Sequence, residues 1–359
     1  MLGIESSCDE TAAAVVRDGH ELLSNVVQTQ IDIHKAYGGV VPEVAARSHI
    51  EVINAVVEEA LQKADVTWDD IDAIGVTYAP GLIGSLLVGT LAARTLAIIK
   101  NKPLYNIHHV EAHVYANFLI TPPPQFPMLA LIVSGGHSQL VLFRDHGDYT
   151  LLGQTQDDAV GEAFDKVAKV IGLPYPGGPS VAKAAESGND RAYTFPKAHF
   201  TCKHTGDHAG SIESLAHEIC HAYDFSFSGL KTAVLRRVQQ ICNKPYDFPS
   251  TQLAVLLNNQ QRNDIAASFQ RVAIETLVDK TVRAFDDYSP ASAIIAGGVA
   301  ANSELRKQLS DRIPLDIQYA PIALCTDNAA MVATLTYYRM KLQKPADPYT
   351  LDVKPSLSM

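Results

Sequence analysis

The chain has 359 residues, 47% of them hydrophobic and 19% charged, and its formal net charge is −10. This length exceeds what one hydrophobic core usually organises, so we expect two packed lobes, and the composition excludes a disordered chain. The negative charge repels polyanions at long range, so a nucleic-acid partner would need a local basic patch or a helper subunit.

The cysteines and the N-terminal region indicate a cytoplasmic protein. Five cysteines are an odd number without a repeated spacing, which argues against a disulfide framework. Asp9 and Glu10 occur where a signal peptide would be basic and then apolar. The longest apolar helical stretch, 86–99, contains Arg94 and falls short of the roughly 20 residues that cross a bilayer, so no membrane partner is expected.

In chain order, residues 1–16 predict a strand, a polar turn and a second strand. The same layout returns at 129–143, around Ser134 and the two glycines that follow it. Between these hairpins, an apolar strand precedes a glycine-containing loop and a long helix, which is an α/β signature. The sequence therefore predicts a two-lobed α/β protein whose lobes open with similar hairpins.

A proline-rich segment, 121–127, separates the two predicted lobes, because its four prolines can continue neither a helix nor a central strand. We place the N-terminal lobe at 1–121 and the C-terminal lobe at 122–325. A helix at about 326–343 is expected to pack back on the first lobe. The second lobe includes a longer helical and loop insertion at about 197–262.

The segment HHVEAH, at 108–113, predicts a metal-binding pair. On a helix with ~100° per residue, His109 and His113 lie about 40° apart, whereas His108 and His113 lie about 140° apart. Imidazoles one turn apart can both bind a transition metal and leave coordination positions open. Val110 stands where a zinc protease carries its glutamate base, so a protease interpretation lacks that base.

A carboxylate from elsewhere should complete this site. Asp327, at the start of the last predicted helix, is the candidate, and the alternative is that it only caps that helix. A second segment rich in histidine and cysteine offers a competing site, although its spacings match no closed zinc site. Its members are His199, Cys202, His204, His208, His217, Cys220 and His221.

Three glycine pairs, at 135–136, 177–178 and 297–298, allow main-chain amides to approach a phosphate. Together they predict a nucleotide cleft between the lobes. The chain contains neither a G-x-x-x-x-G-K-[ST] nor a G-x-G-x-x-G motif, which excludes Walker and Rossmann sites. Asn302 or Ser303 can cap the helix after the third pair.

Several motifs closely resemble those of the tRNA N6-adenosine threonylcarbamoyltransferase family, formerly called O-sialoglycoprotein endopeptidases. In family order from about residue 2 to about residue 335, they are GIESSCDET, GGVVPE, APGL, HHVEAH, VSGGHSQL, GEAFDK, YPGGP, FSFSGLKT, AGGVAAN and CTDN. The resemblance implies an actin-like fold of the sugar kinase and heat-shock ATPase superfamily, with a nucleotide cleft between two lobes.

The resemblance also implies the reaction. The threonylcarbamoyl group moves from threonylcarbamoyl-AMP to N6 of the adenosine 3′-adjacent to the anticodon in tRNAs that read ANN codons. Because this donor is an activated mixed anhydride, the protein mainly positions the amine and polarises the carbonyl, and a metal can polarise it as a Lewis acid. Bacterial members work with a shorter protein of the same fold and a small ATPase.

By motif match, His109, His113 and Asp327 would hold one divalent metal ion, with Fe²⁺ the first expectation and Zn²⁺ the second. Asp9 and Glu10 match acids near the reacting centre, and the alternative is that they are turn residues that bond their own main chain. The matched substrate contacts are Ile132, Val133, Ser134, Gly135 and Gly136 at the phosphate and carbamoyl group, Asp165 and Gly178 at the ribose, and Asn302 at the nucleotide.

The sequence departs from the family pattern at 199–222 and 239–262, where it is longer than usual bacterial members. A nearby basic run of Lys231, Arg236, Arg237 and Lys244 is interpreted as a tRNA contact. Two alternative functions remain. A sugar-kinase-like phosphotransferase would leave the two histidines without a task, and a non-catalytic subunit of the modification complex should have lost them.

Overall fold

The structure is a computed structural model that describes residues 1–198 and 222–359. The competing metal site at 199–221 lies outside the described residues. Ten strands of the described part form two five-stranded sheets. The first contains β1 (Leu2–Glu5), β2 (Glu10–Arg17), β3 (Glu21–Thr29), β4 (Ile74–Ala79) and β5 (Leu104–His108); the second contains β6 (Met128–Val133), β7 (Ser138–Asp145), β8 (Asp148–Gln154), β9 (Ser292–Ala296) and β10 (Ile317–Tyr319).

The two sheets repeat one topology. The first has the order β3-β2-β1-β4-β5, and the second, read from its other edge, has the equivalent order β8-β7-β6-β9-β10. In each, the first three strands of the half pair antiparallel and the last two join in parallel. The prediction that both halves open with the same hairpin is therefore confirmed.

Helices cover both sheets. The first half contains α1 (Ile31–Lys35), α2 (Pro42–Lys63), α3 (Ile83–Lys100) and α4 (His109–Tyr115). After β8 the described helices are α5 (Val160–Ile171), α6 (Gly177–Ala185), α7 (Ser228–Ile241), α8 (Asn259–Tyr288), α9 (Ser303–Arg312), α10 (Ile322–Cys325) and α11 (Ala329–Leu342). The longest of these, α8, begins with a capping box between Asn258 and Gln261, which satisfies amides that the first turn leaves free.

Alternating burial explains how the first sheet separates two cores. Side chains of a strand point to opposite faces in turn. In β2, Ala13 and Val15 share a core cluster with residues of α2 and α3. Their neighbours Ala12 and Ala14 belong to the larger cluster, which also includes residues of the second sheet.

The last helix, α11, crosses back to the first sheet. Two glycines of that sheet allow the close approach. A Cβ atom on Gly3 would overlap the carbonyl oxygen of Ala329 and lie 2.5 Å from the amide nitrogen of Ala333, and one on Gly75 would overlap the Thr336 hydroxyl. The segment that leads into α11 is therefore placed against the end of the first sheet.

Helix α3 is longer than the sequence stretch suggested, and its length and composition would allow it to span a membrane. It nevertheless packs as a helix of the first half, with Leu86, Gly89 and Ala93 buried. Arg94 donates hydrogen bonds to the carbonyl oxygens of residues 348, 349 and 351, in the segment that follows α11. These contacts attach α3 to the segment after α11, and one face of the helix stays exposed, with Leu91 and Ile99 more than half accessible.

Candidate metal centre and substrate cleft

The two predicted histidine ligands lie on one short helix. Strand β5 ends at His108, and α4 begins at His109, so His113 follows one turn later. The two imidazole rings meet edge to face, with their centroids 4.7 Å apart. The helical spacing that selected this pair is thus realised in the structure.

Asp327 reaches the same point from the other half of the chain, in the turn between α10 and α11. Its Oδ1 atom lies 3.3 Å from His113 Nε2 and 3.6 Å from His109 Nε2. One ligand atom from each of the three residues lies within 4.8 Å of the others, so the cluster could hold a metal ion. Asn328, not Asp327, caps α11 by accepting from Met331 N at 3.1 Å, so the cap interpretation of Asp327 is wrong.

The cluster fits a metal ion because one imidazole lacks other partners. Within the described ranges, His113 Nδ1 has no hydrogen bond and Nε2 has only the Asp327 carboxylate, 3.3 Å away in poor hydrogen-bond geometry, although the side chain is only 1% exposed. A buried polar atom without a partner is costly, and a cation at Nε2 would compensate for that cost. Two imidazole nitrogens and one carboxylate oxygen suit Fe²⁺ or Zn²⁺ with positions left open.

The charged groups of the cluster shift one another's pKa values. Burial opposes protonation of His109, but Asp327 and Glu5 outweigh it and raise the pKa of His109 to about 9. Burial also favours a neutral Asp327, yet His109 and His113 hold the pKa of that carboxyl well below its usual range. The site therefore stabilises positive charge at His109 and negative charge on the Asp327 carboxylate.

The acid loop, Cys8 to Glu10 between β1 and β2, lies beside this cluster. Asp9 is 8% exposed, and Glu10 is the first residue of β2. Burial, followed by the nearby carboxylates of Asp327 and Asp9, raises the pKa of Glu10 to about 10. The Thr29 hydroxyl donates to Glu10 Oε1 at 3.2 Å. A cation at the cluster would reduce the repulsion among these acids.

The glycine hairpin, Ser134 to His137 between β6 and β7, faces the cluster from the second half. Ser134 N donates to His137 O at 2.8 Å, and His137 N donates to Ser134 Oγ at 3.2 Å. The His137 and His109 ring centroids are 6.4 Å apart. Burial and the nearby His109 lower the pKa of His137 to about 3. A Cβ atom on Gly135 or Gly136 would meet open space, so their main chain is accessible.

Other residues that were predicted to contact the substrate lie around this hairpin or have structural roles. Ile132 and Val133 are fully buried in β6, directly before the hairpin, so their side chains belong to the core. A Cβ atom on Gly161, at the start of α5, would lie 2.5 Å from Ser134 O, and one on Gly297 would lie 2.9 Å from Val133 C. The start of α5 and the third glycine pair thus pack directly on the hairpin.

Asp165 lies in the middle of α5, Gly178 at the start of α6, and Asn302 directly before α9. Asp165 Oδ1 accepts from Gly177 N at 2.6 Å and so ties α5 to α6. A Cβ atom on Gly178 would have no neighbour within 4 Å. Asn302 caps α9 by accepting from Leu305 N at 3.0 Å, and its Nδ2 donates to Gln270. These interactions position the three residues, and their substrate contacts remain predictions.

The basic run is partly engaged within the protein. Lys231 forms an ion pair with Asp158 at 2.8 Å. Arg236 lies over the Tyr246 ring, 4.4 Å from its centroid, and bonds to the carbonyl oxygen of that residue. Lys231 and Arg236 therefore have intramolecular partners that a tRNA phosphate would have to replace or share.

Sequence reasoning missed the polar residues behind His109. Glu5 is fully buried at the end of β1, and its Oε2 lies 3.2 Å from His109 Nδ1. Ser7 Oγ lies 3.1 Å from the same nitrogen, and Thr77 Oγ1 donates to Glu5 Oε2 at 2.6 Å. The available signal was a glutamate at the end of an otherwise apolar strand, where an unpaired carboxylate would be unfavourable.

Comparison with known proteins finds relatives that match nearly the whole chain. The family model for tRNA N6-adenosine threonylcarbamoyltransferase matches residues 21–334. A protein of that name from Symbiobacterium thermophilum is 50% identical over 341 residues, covering 94% of this chain and 91% of the relative. One from Thermomicrobium roseum is 46% identical over 372 residues, covering 100% and 96% of the two chains.

A solved structure supports the fold class. Full-length HypF, in a phosphate- and nucleotide-bound form, aligns with 96% of this chain and 46% of its own, with a TM-score of 0.54 and 11% identity. With the repeated sheet topology, this likeness confirms the expected two-lobed α/β fold of the actin and sugar-kinase type. The length and identity of the sequence matches establish that the chain belongs to the tRNA N6-adenosine threonylcarbamoyltransferase family.

Proposed function

We propose that this chain transfers the threonylcarbamoyl group from threonylcarbamoyl-AMP to N6 of the adenosine 3′-adjacent to the anticodon in tRNAs that read ANN codons. One observation supports this most directly. The cluster of His109, His113 and Asp327 lies beside the glycine hairpin, whose His137 ring centroid is 6.4 Å from that of His109 and whose Gly135 and Gly136 leave an open main chain. An adenylate bound between them would expose its carbonyl to the cluster and its phosphate to the amides.

The reaction needs orientation more than activation. A bond forms between N6 and the carbamoyl carbon, the bond from that carbon to the phosphate oxygen breaks, and AMP leaves with the electron pair. N6 releases one proton. Because the mixed anhydride is already reactive, holding the two groups in line accounts for much of the rate that the protein must supply.

The residues of this chain divide these tasks. His109, His113 and Asp327 would hold Fe²⁺, or alternatively Zn²⁺, which supplies Lewis acidity toward the carbonyl. The main chain of 132–136 binds the phosphate and carbamoyl group, Asp165 and Gly178 bind the ribose, and Asn302 binds the nucleotide. The acid loop orients the amine, with Asp9 as the carboxylate that accepts its proton and Glu10 as a second acid beside it, whose raised pKa keeps it protonated in the absence of a cation.

The partners follow the same proposal. The net charge of −10 disfavours unaided tRNA binding, so shared binding with helper proteins is physically reasonable. We propose a shorter protein of the same fold and a small ATPase as those helpers, and the cytoplasm as the compartment. Arg237 and Lys244 are the members of the basic run best suited to phosphate contacts, because their contacts with Tyr193 and Phe248 are with aromatic faces.

The test reconstitutes the transfer. Metal-loaded protein, tRNA transcript, partner proteins and threonylcarbamoyl-adenylate are mixed without ATP, and the modified nucleoside is measured by mass spectrometry. Wild type should form product and the double variant His109→Ala, His113→Ala should form almost none, while the control His20→Ala changes an exposed histidine and should retain activity. No wild-type product, or full product from the double variant, would refute the mechanism. In a separate assay with ATP and a sugar, phosphate transfer to the sugar would instead support the kinase alternative.

A further inference from the structure

The fully buried carboxylate of Glu5 is surrounded by hydrogen-bond donors. Its Oε1 accepts from Ser7 N at 2.6 Å, and its Oε2 accepts from the Thr77 hydroxyl at 2.6 Å. The remaining polar neighbour is His109 Nδ1, at 3.2 Å from Oε2. Ser7 Oγ, 3.1 Å from the same nitrogen, can accept or donate, whereas a carboxylate accepts only, so a proton on His109 Nδ1 is the state that satisfies both neighbours.

This hydrogen bond decides which nitrogen of His109 can bind a cation. With Nδ1 protonated, Nε2 is the free ligand atom, and it is the nitrogen that faces Asp327. A ligating histidine commonly donates its second N–H to a carboxylate, which fixes the ring and makes it a stronger ligand. The three residues Thr77, Glu5 and His109 form such a chain across β4, β1 and α4.

We propose that Glu5 is a positioning residue of the metal centre, which holds His109 as the Nδ1–H tautomer with Nε2 directed at the cluster. This inference rests on the proposed function only in that the cluster binds a metal ion; it is independent of the group transferred. His113 differs, because its Nδ1 has no partner in the described ranges. His109 is therefore the preorganised ligand, and His113 adjusts to the ion.

The substitution Glu5→Gln tests the proposal. An amide presents one oxygen and one NH₂ group, so it cannot accept from both Ser7 N and His109 Nδ1–H. Thr77→Val removes one donor to Glu5 and leaves the carboxylate in place. Glu275→Gln is the matched control, because it changes a partly buried carboxylate of α8 that pairs with Lys197 and Arg271.

Zn²⁺ affinity of the metal-free, full-length protein is measured by competition with a chromophoric chelator, and folding is checked by circular dichroism. Glu5→Gln should weaken Zn²⁺ binding by roughly 10–100-fold. Thr77→Val should weaken it less, and Glu275→Gln should not change it. In ¹⁵N-histidine NMR spectra of the Zn²⁺-loaded protein, where the ion occupies Nε2, the Nδ1–H signal of His109 should change in Glu5→Gln.

Three results would overturn the inference: no Zn²⁺ binding by wild type, wild-type affinity in folded Glu5→Gln, or an unchanged tautomer signal. If Glu5→Gln fails to fold, wild-type affinity in Thr77→Val also overturns it. The nucleoside assay on the same samples separates the two proposals. Product formation with unaltered Zn²⁺ binding in Glu5→Gln refutes only the role of Glu5. Weaker Zn²⁺ binding without product from wild type refutes only the proposed transfer.

Discussion

The imidazole Nε2 of His49 donates a hydrogen bond to the main-chain carbonyl oxygen of Cys8 over 3.0 Å. The Ser85 hydroxyl donates to the same oxygen at 3.1 Å. His49 lies on α2 and Ser85 on α3, so both helices hold the acid loop directly before Asp9. The Thr11 hydroxyl donates to His49 Nδ1 at 2.7 Å and fixes the ring from the other side of the loop.

Removing this support should slow transfer without weakening the metal site. We expect His49→Gln to lower kcat/KM by roughly 10-fold or more, because small displacements of reacting groups are costly. Ser85→Ala should have a smaller effect. Zn²⁺ affinity should stay close to wild type, since neither side chain contacts a ligand of the cluster. A folded His49→Gln protein with unaltered transfer kinetics would contradict this role of His49.

The same histidine should make stability depend on pH. Burial lowers the pKa of His49, whereas the unfolded chain binds this proton near pH 6.5. The unfolded state therefore gains protons first, and the free energy of unfolding should fall as pH decreases below about 6.5 and level off below the folded pKa. One such group contributes at most about 1.4 kcal/mol per pH unit. Urea unfolding at several pH values should give a shallower slope for His49→Gln than for wild type, and equal slopes would argue against it.

A second prediction concerns a buried ion pair between two helices of the site. Glu111 of α4 is fully buried and pairs with Arg339 of α11, and it therefore joins the histidine helix to the helix after Asp327. Arg339→Met leaves the carboxylate buried without its partner and should reduce stability by about 3–5 kcal/mol. Adding Glu111→Leu should recover much of the loss. Denaturant unfolding of Arg339→Met, Glu111→Leu and the double variant measures the coupling free energy between the two side chains. Additive losses of stability would exclude such a coupling.

A third prediction links the packing of α11 to metal binding. A Cβ atom in Gly3→Ala would displace α11 at Ala329 and Ala333, two residues and more beyond Asp327. We expect a loss of about 1–3 kcal/mol in stability and weaker Zn²⁺ binding, because Asp327 must move with the helix start. The matched control is Gly229→Ala in α7, where a Cβ atom meets open space. The control should be neutral or stabilising by up to about 1 kcal/mol. Equal effects of the two substitutions would contradict the link.

The sequence predicted features that depend on neighbouring residues. The repeated hairpins follow from local turn chemistry, and the pairing of His109 with His113 follows from helix geometry. By contrast, Glu5 was interpreted as part of a polar turn, because its partners Thr77 and His109 are 72 and 104 residues away. No local pattern encodes such contacts.

The start of α11 shows a related limit of prediction from sequence. Asp327 and Asn328 can both cap a helix, and the sequence does not show which side chain turns inward. In the structure Asn328 caps the helix, which leaves Asp327 directed at the histidines. The assignment of Asp327 from the motif resemblance agrees with that direction, although its binding of a metal remains a prediction.

The repeated topology places the candidate site between equivalent elements of the two halves. His109 follows β5 and Asp327 comes shortly after β10, which are equivalent strands of the two halves. The acid loop and the glycine hairpin likewise occupy equivalent turns after β1 and β6. The first copy of this unit provides two of the three candidate ligands and the acid loop, and the second copy provides one ligand and the glycine hairpin. The candidate site therefore needs both copies of the repeated unit. Each copy has diverged to supply different side chains, so neither half could form the site alone.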